Sequence, residues 1–178
     1  QNKRGEIYQV IPQLVADADE ANTVEMLVDA GGGRQVLVYK AMAADGTHQG
    51  WVVPAGGQGF NDRIELLIGL DAPLSTITGL YVLDQKETPG LGNSITSESF
   101  RGQFLGKSAD EPLVVVKSLP QADNEILALS GATISSESVS GIVNSAIADV
   151  KPSIRQQART TGGSAPSAPA NNRQNTQQ

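Results

Sequence analysis

The sequence predicts an α+β domain: a twisted antiparallel sheet with helices packed on it. Three observations lead there. Five short runs rich in β-branched and aliphatic residues follow one another, TVEMLVDA, RQVLVYKAMA, GWVVPA, RIELLIGLD and STITGLYVLDQ. The stretches between them include GGG, ADGTHQG and GGQGFND, turn sequences too short for the crossovers that parallel strands require. Apolar residues recur at helical spacing on both sides of this block.

Taken in order, the segment 6–22 places Ile7, Val10, Ile11, Leu14, Val15 and Ala18 on one helical face, with Pro12 expected to break or restart the helix. The five strands come next, with GGQG (56–59) expected in a hairpin loop. NSITSESFRGQFLG (93–106) reads as a short helix carrying Phe100 and Phe104 on one face, and PLVVVK (112–117) as a compact strand. From 135 to about 150 lies the clearest helix. Val139, Ile142, Val143, Ala146, Ile147 and Val150 form its apolar face. Ser135 or Ser136 is expected to cap it, and Glu137 lies near the positive end of its dipole. Beyond Ile154 the composition is Gln, Ser, Ala, Pro and Asn with almost nothing to bury. Three parts are therefore expected: a helical segment at 1–22, a folded domain at 23–154 and a disordered polar tail at 155–178.

Composition removes several classes of function. The 178 residues carry 13 Lys and Arg against 19 Asp and Glu, a net charge of −6, which argues against nucleic acid as a partner. There are no cysteines, so disulfides and thiolate metal sites are excluded. No apolar run approaches the roughly 20 residues that span a bilayer. The one histidine, His48, sits in ADGTHQG, read as a solvent-exposed turn; no metal site is expected. Ser130 as a hydrolase nucleophile lacks a partner histidine near any elbow-like motif. Trp51 and Tyr81 fall in strand patterns and read as packing residues, and Asp17, Asp19 and Glu20 as a solvated helix end.

Two short motifs stand out. SGATISS puts Ser130, Gly131, Ala132 and Thr133 directly ahead of the long helix. Unpaired N–H groups and the dipole at a helix start favour a phosphate, and small residues let a bulky group approach the backbone. On residue types alone, the stretch is either such a site beside the Thr133 hydroxyl or a tight strand-to-helix connection. KETPGLG (86–92) is either a surface turn or a platform for a flat ring. Pro89 stiffens it, Gly90 and Gly92 permit close approach, and Leu91 offers an apolar contact.

Together these motifs resemble the FMN-binding domain family, found in the G subunit of the Rnf electron-transport complex and in the C subunit of the sodium-pumping NADH:quinone reductase. SGATISS is similar to the family's flavinylation motif, and ETPGLG to its loop against the flavin ring. FRGQFLGKS and LVVVK lie between the two motifs in the family's order, and RGEIYQVIP resembles its segment after a membrane helix. The likeness covers about residues 4–150.

The resemblance implies FMN held covalently by a phosphoester to Thr133, among Ser130, Gly131, Ala132 and Ser135. Glu87, Thr88, Leu91 and Gly92 would then stand at the ring: Thr88 as a donor to a ring heteroatom, Glu87 as an influence on a nearby protonation. Lys117 either pairs with the phosphate or is a solvated strand end. Two departures stand out. Leu127 occupies the position, six residues before the threonine, where family members often carry Asp, and Ser135 replaces the usual threonine two residues beyond. The chain would be an electron-transfer protein, partnered by the other members of a membrane redox complex and matured by a flavin transferase. A single N-terminal helix, absent from this chain, would anchor it in the inner membrane with the domain on the periplasmic, outer face. The alternative is a non-catalytic extracytoplasmic binding or scaffold domain of the same fold, its threonine unmodified.

Overall fold

The computed structural model describes residues 3–161. Five strands, β1 (Asp19–Asp29), β2 (Gln35–Met42), β3 (His48–Gln58), β4 (Arg63–Asp71) and β5 (Ile77–Asp84), form one sheet in sequence order, each antiparallel to its neighbour. The antiparallel meander is the α+β architecture the turn spacing predicts. Both faces of the sheet are covered, which is why LLIGL in β4 is apolar without alternation. Leu67 joins Val52, Tyr39 and Ala41 under helix α1 (Lys3–Leu14). Leu66, Ile68 and Leu70 point the other way, toward helix α3 (Thr133–Thr161) and the buried pair Phe100 and Phe104. Those two rings meet edge to face, centroids 5.5 Å apart.

Several boundaries differ from expectation, each for a physical reason. Pro12 does not break α1. It lies in the last turn, where its missing N–H removes one helical bond, while Ile7, Val10, Ile11, Leu14 and Val15 stay buried against the sheet. Strand β1 begins at Asp19, so the helical segment stops well before residue 22 and Asp19 belongs to the sheet. His48 opens β3 and is half-buried: its ring stands edge-on to Trp51, centroids 4.8 Å apart.

GGQ is strand, not loop. Gly56, Gly57 and Gln58 pair with Glu65, Ile64 and Arg63. A Cβ on Gly56 would strike the side chains of Arg63 and Glu65, and one on Gly57 would come 2.8 Å from Ile142 of α3. The stretch expected as one helix at 93–106 is three short pieces: a 3-10 turn at Gly92–Thr96, helix α2 at Glu98–Arg101, and a second turn at Gly102–Phe104.

Strand β6 (Val114–Val116) pairs in parallel with β7 (Glu125–Leu127), a strand the sequence did not announce. Side-chain amides take the place of further strands there. Asn144 of α3 accepts from Leu113 N at 2.8 Å and donates to its carbonyl at 3.0 Å. Gln103 does the same for Leu127, at 2.8 and 3.1 Å.

Helix α3 begins at Thr133, two residues early, and passes Ile154 to Thr161, so the folded part does not end at 154. Pro152 withholds one N–H, but Ile154 is fully buried. Ser153 and Gln157 donate to the Asp29 and Leu27 carbonyls on the open edge of β1, which ties the extension down. The rest of the expected tail, 162–178, lies outside the described residues. Among the described residues no helix is long and apolar enough to cross a membrane.

Candidate functional site

The two motifs meet at one end of the sheet. Gly131 takes φ +72°, a left-handed conformation that a side chain would strain, and turns the chain from β7 into α3. The helical ladder opens with Ser136 N donating to Ala132 O at 3.1 Å, so the amides of Thr133, Ile134 and Ser135 precede it. Neither serine is a cap. Ser136 holds the incoming loop instead, accepting from Leu129 N at 3.0 Å and donating to Ala132 O at 2.9 Å. Ser135 is buried and donates to Glu87 at 2.5 Å.

Glu87 is the organising group. It is 4% exposed, and besides Ser135 it accepts from the backbone N–H groups of Phe60 and Asn61, each at 3.1 Å, and more loosely from Asp62. One carboxylate thereby joins the β3–β4 turn, the ETPGLG loop and the first turn of α3. Burial pushes its pKa up, but the Ser135 hydroxyl and the three amides outweigh that and hold it below the ordinary value. Gly92 closes the same arrangement: a Cβ there would lie 2.6 Å from Ser135 Oγ and 2.9 Å from Glu87 Cβ. The loop itself turns on Thr88, whose carbonyl accepts from Leu91 N and Asn93 N, while its hydroxyl accepts from Asn61 Nδ2 at 3.1 Å.

Above this support lies a cleft of about 290 Å³ lined by Phe60, Leu91, Gly92, Gly131, Thr133 and Ile134, with Thr88, Ala132 and Ser135. Phe60, Leu91 and Ile134 are 59%, 44% and 54% exposed. Three large apolar side chains left in water around one cleft favour a flat apolar ligand. The half-buried Thr133 hydroxyl and the helix-start amides beside them suit a phosphate. An aromatic ring bearing a phosphate therefore fits this residue set. A larger groove, about 400 Å³, runs between α3 and β3, but small side chains and the Arg34–Asp149 ion pair wall it.

Of the sequence-predicted residues, Thr88, Leu91, Gly92, Gly131, Ala132, Thr133 and Ser135 line the cleft. Glu87 sits behind it as support, and Ser130 and Lys117 are exposed and outside its lining. Leu127 ends β7, its backbone held by Gln103. Phe60 and Ile134 escaped sequence reasoning. The available signal was an apolar residue in a turn of Gly, Asn and Asp, and another off the apolar face of α3.

Comparison with known proteins gives the family and the fold. The FMN-binding domain family matches residues 59–148, which include both motifs. The G subunit of the ion-translocating oxidoreductase complex of Methanosarcina acetivorans is 40% identical over 139 residues, spanning 78% of this chain and 70% of that protein. The G subunit of the Na(+)-translocating ferredoxin:NAD(+) oxidoreductase complex of Acetobacterium woodii is 40% identical over 145 residues, spanning 78% and 69%. Among solved structures, NqrC of Shewanella oneidensis has a TM-score of 0.74 at 18% identity, over 89% of this chain and 98% of that one, a likeness of fold. The chain belongs to the FMN-binding domain family, and within it to the relatives of the G subunits of ion-translocating oxidoreductase complexes.

Proposed function

We propose that this chain is the FMN-carrying electron-transfer subunit of an Rnf-type, membrane-bound, ion-translocating oxidoreductase, with FMN joined to Thr133 by a phosphoester. The observation that carries the reading is the convergence of Thr133, the helix-start amides and the exposed trio Phe60, Leu91 and Ile134 on one cleft. The relatives' names support the complex, and the family match supports FMN.

Attachment forms a bond from Thr133 Oγ1 to the flavin phosphorus. The hydroxyl proton leaves, and a leaving group departs from phosphorus, so a flavin nucleotide with an activated phosphate and a transferase are required. Once bound, the flavin supplies electron transfer, which the protein side chains cannot. The chain supplies the rest. The amides of Thr133, Ile134 and Ser135 offset phosphate charge, Leu91 and Phe60 cover apolar surface, and Thr88 offers a hydrogen bond. Glu87 keeps loop and helix start in register. A covalent tether needs no affinity, so the cofactor stays through changes of redox state. In this reading an N-terminal helix beyond this chain anchors it, with the domain on the outer face and the other members of the complex as redox partners.

The test is colour after unfolding. Protein made together with its flavin transferase keeps yellow absorbance in denaturant, and Thr133→Val abolishes it without loss of the fold. Wild-type protein that turns colourless on unfolding, or a valine variant that stays yellow, overturns the reading and leaves the unmodified scaffold domain.

A further inference from the structure

Far from Thr133, the C-terminal half of α3 and the near ends of β2 and β3 enclose a second cavity of about 330 Å³. Arg155 follows Thr133 by 22 residues of continuous helix, roughly 33 Å along the axis. Met26, Leu74 and Ile154 contribute apolar walls. Its basic side chains come from three elements: the charged Lys40 on β2 and Arg155 and Arg159 on α3, with the titratable His48 on β3.

Among the described residues no carboxylate lines it, although acids outnumber bases in the whole chain. Among the described residues, no salt bridge involves Lys40, Arg155 or Arg159. Arg155 is within electrostatic reach of Asp110, but that carboxylate is already paired with Lys151 outside the cavity. Arg159 complements the C-terminal dipole of its helix, which does not account for Lys40 facing the same space from the sheet. Like charges converging on a half-apolar cavity repel, and an anion between them removes the cost. Two guanidinium groups and an ammonium suit the several oxygens of a phosphate better than a single carboxylate.

We propose that this cavity is a second ligand site, which takes a phosphate monoester with an apolar body: its head on Lys40, Arg155 and Arg159, its body against Met26, Trp51 and Leu74. His48 completes the site. Its Nε2–H donates to Gly50 O at 3.0 Å, and among the described residues no hydrogen bond to Nδ1 is seen. Burial, ahead of the Lys40 charge, holds its pKa below the ordinary value. The site is independent of whether Thr133 carries FMN.

The chain's only histidine and only tryptophan both line this cavity, so two unambiguous spectroscopic reporters are built in. Hexyl phosphate titrated into the full chain moves the His48 ring resonances and the Trp51 emission saturably, and raises the pH at which His48 titrates. Inorganic phosphate acts on the same signals more weakly, and hexanol does not. The double variant Arg155→Gln, Arg159→Gln alters two exposed side chains, keeps its circular dichroism, and binds at least roughly tenfold more weakly. Vesicles of phosphatidylcholine with and without phosphatidic acid separate the sources. A response to phosphatidic acid assigns a lipid headgroup, and a response confined to hexyl phosphate assigns a soluble ester; both support the site. The proposal is overturned if no phosphate compound moves the signals at millimolar concentration, or if the double variant responds like wild type.

Discussion

Replacing Glu87 with glutamine changes one oxygen into an amide nitrogen at nearly constant volume, inside a cage of donors. Oε1 accepts from Asn61 N and weakly from Asp62 N, and Oε2 from Phe60 N and the Ser135 hydroxyl. A glutamine can place its NH₂ on either side. Facing the Asn61 and Asp62 amides it opposes two donors that cannot turn away. Facing Phe60 N and Ser135 it opposes one, because the hydroxyl can rotate and accept. The second arrangement costs less, and it still leaves Phe60 N without a partner, about 1–3 kcal/mol, and exchanges charge-assisted bonds for neutral ones, about 1 kcal/mol more.

We therefore expect Glu87→Gln to lose about 2–4 kcal/mol, read from urea unfolding with an unchanged slope. The pH dependence carries a sign. The folded-state pKa is depressed, so this stabilisation is complete at neutral pH and is lost as pH falls through the folded value. The gap between wild type and variant should be constant near neutrality and close below about pH 4. A loss under about 0.5 kcal/mol, or a gap that widens on acidification, would refute the carboxylate-cage argument.

Other outcomes follow from the same geometry. Gly92→Ala pushes a methyl into Ser135 Oγ and Glu87 Cβ; unfolding should show a loss of about 1–3 kcal/mol, and flavin incorporation should fall with it. Asn144→Leu strands both backbone groups of Leu113, for about 2–4 kcal/mol in the same assay, and hydrogen exchange should rise in β6 before it rises in the sheet. Asp110→Asn leaves the buried Lys151 without its counter-ion. Its hydrogen bond from Lys151, then the lysine charge, hold the Asp110 pKa low. The variant's melting temperature should drop at neutral pH, and the difference should vanish as pH falls through that lowered value.

Local signals in the sequence carried the sheet and both motifs. Strands β2 to β5 alternate or run apolar between Gly and Asp turns, and the face of α3 repeats at helical spacing, so each is stated within its own residues. What was not legible depends on partners far along the chain. Glu87 and Ser135 are 48 residues apart, and nothing near either announces the other. Gln103 and Asn144 stand in for strands, a role invisible without the backbone they grip, and β7 is too short to declare itself. Helix α3 survives Pro152 because Ser153 and Gln157 reach the edge of β1, a tertiary gain that overrides local propensity. Strand β3 survives its glycines because β4 is long enough to pair with them. Phe60 and Ile134, two of the exposed apolar walls of the cleft, looked like ordinary loop and helix residues until the fold brought them to one cleft.

The most direct measurement is the fragment mass spectrum of intact protein, made with a flavin transferase and cleaved on either side of residues 127–147. One peptide should be heavier by FMN less a water, with the added mass on Thr133 and absent from Thr133→Val. An unmodified Thr133 peptide, or an adduct on Ser130, Ser135 or any other hydroxyl, would contradict it.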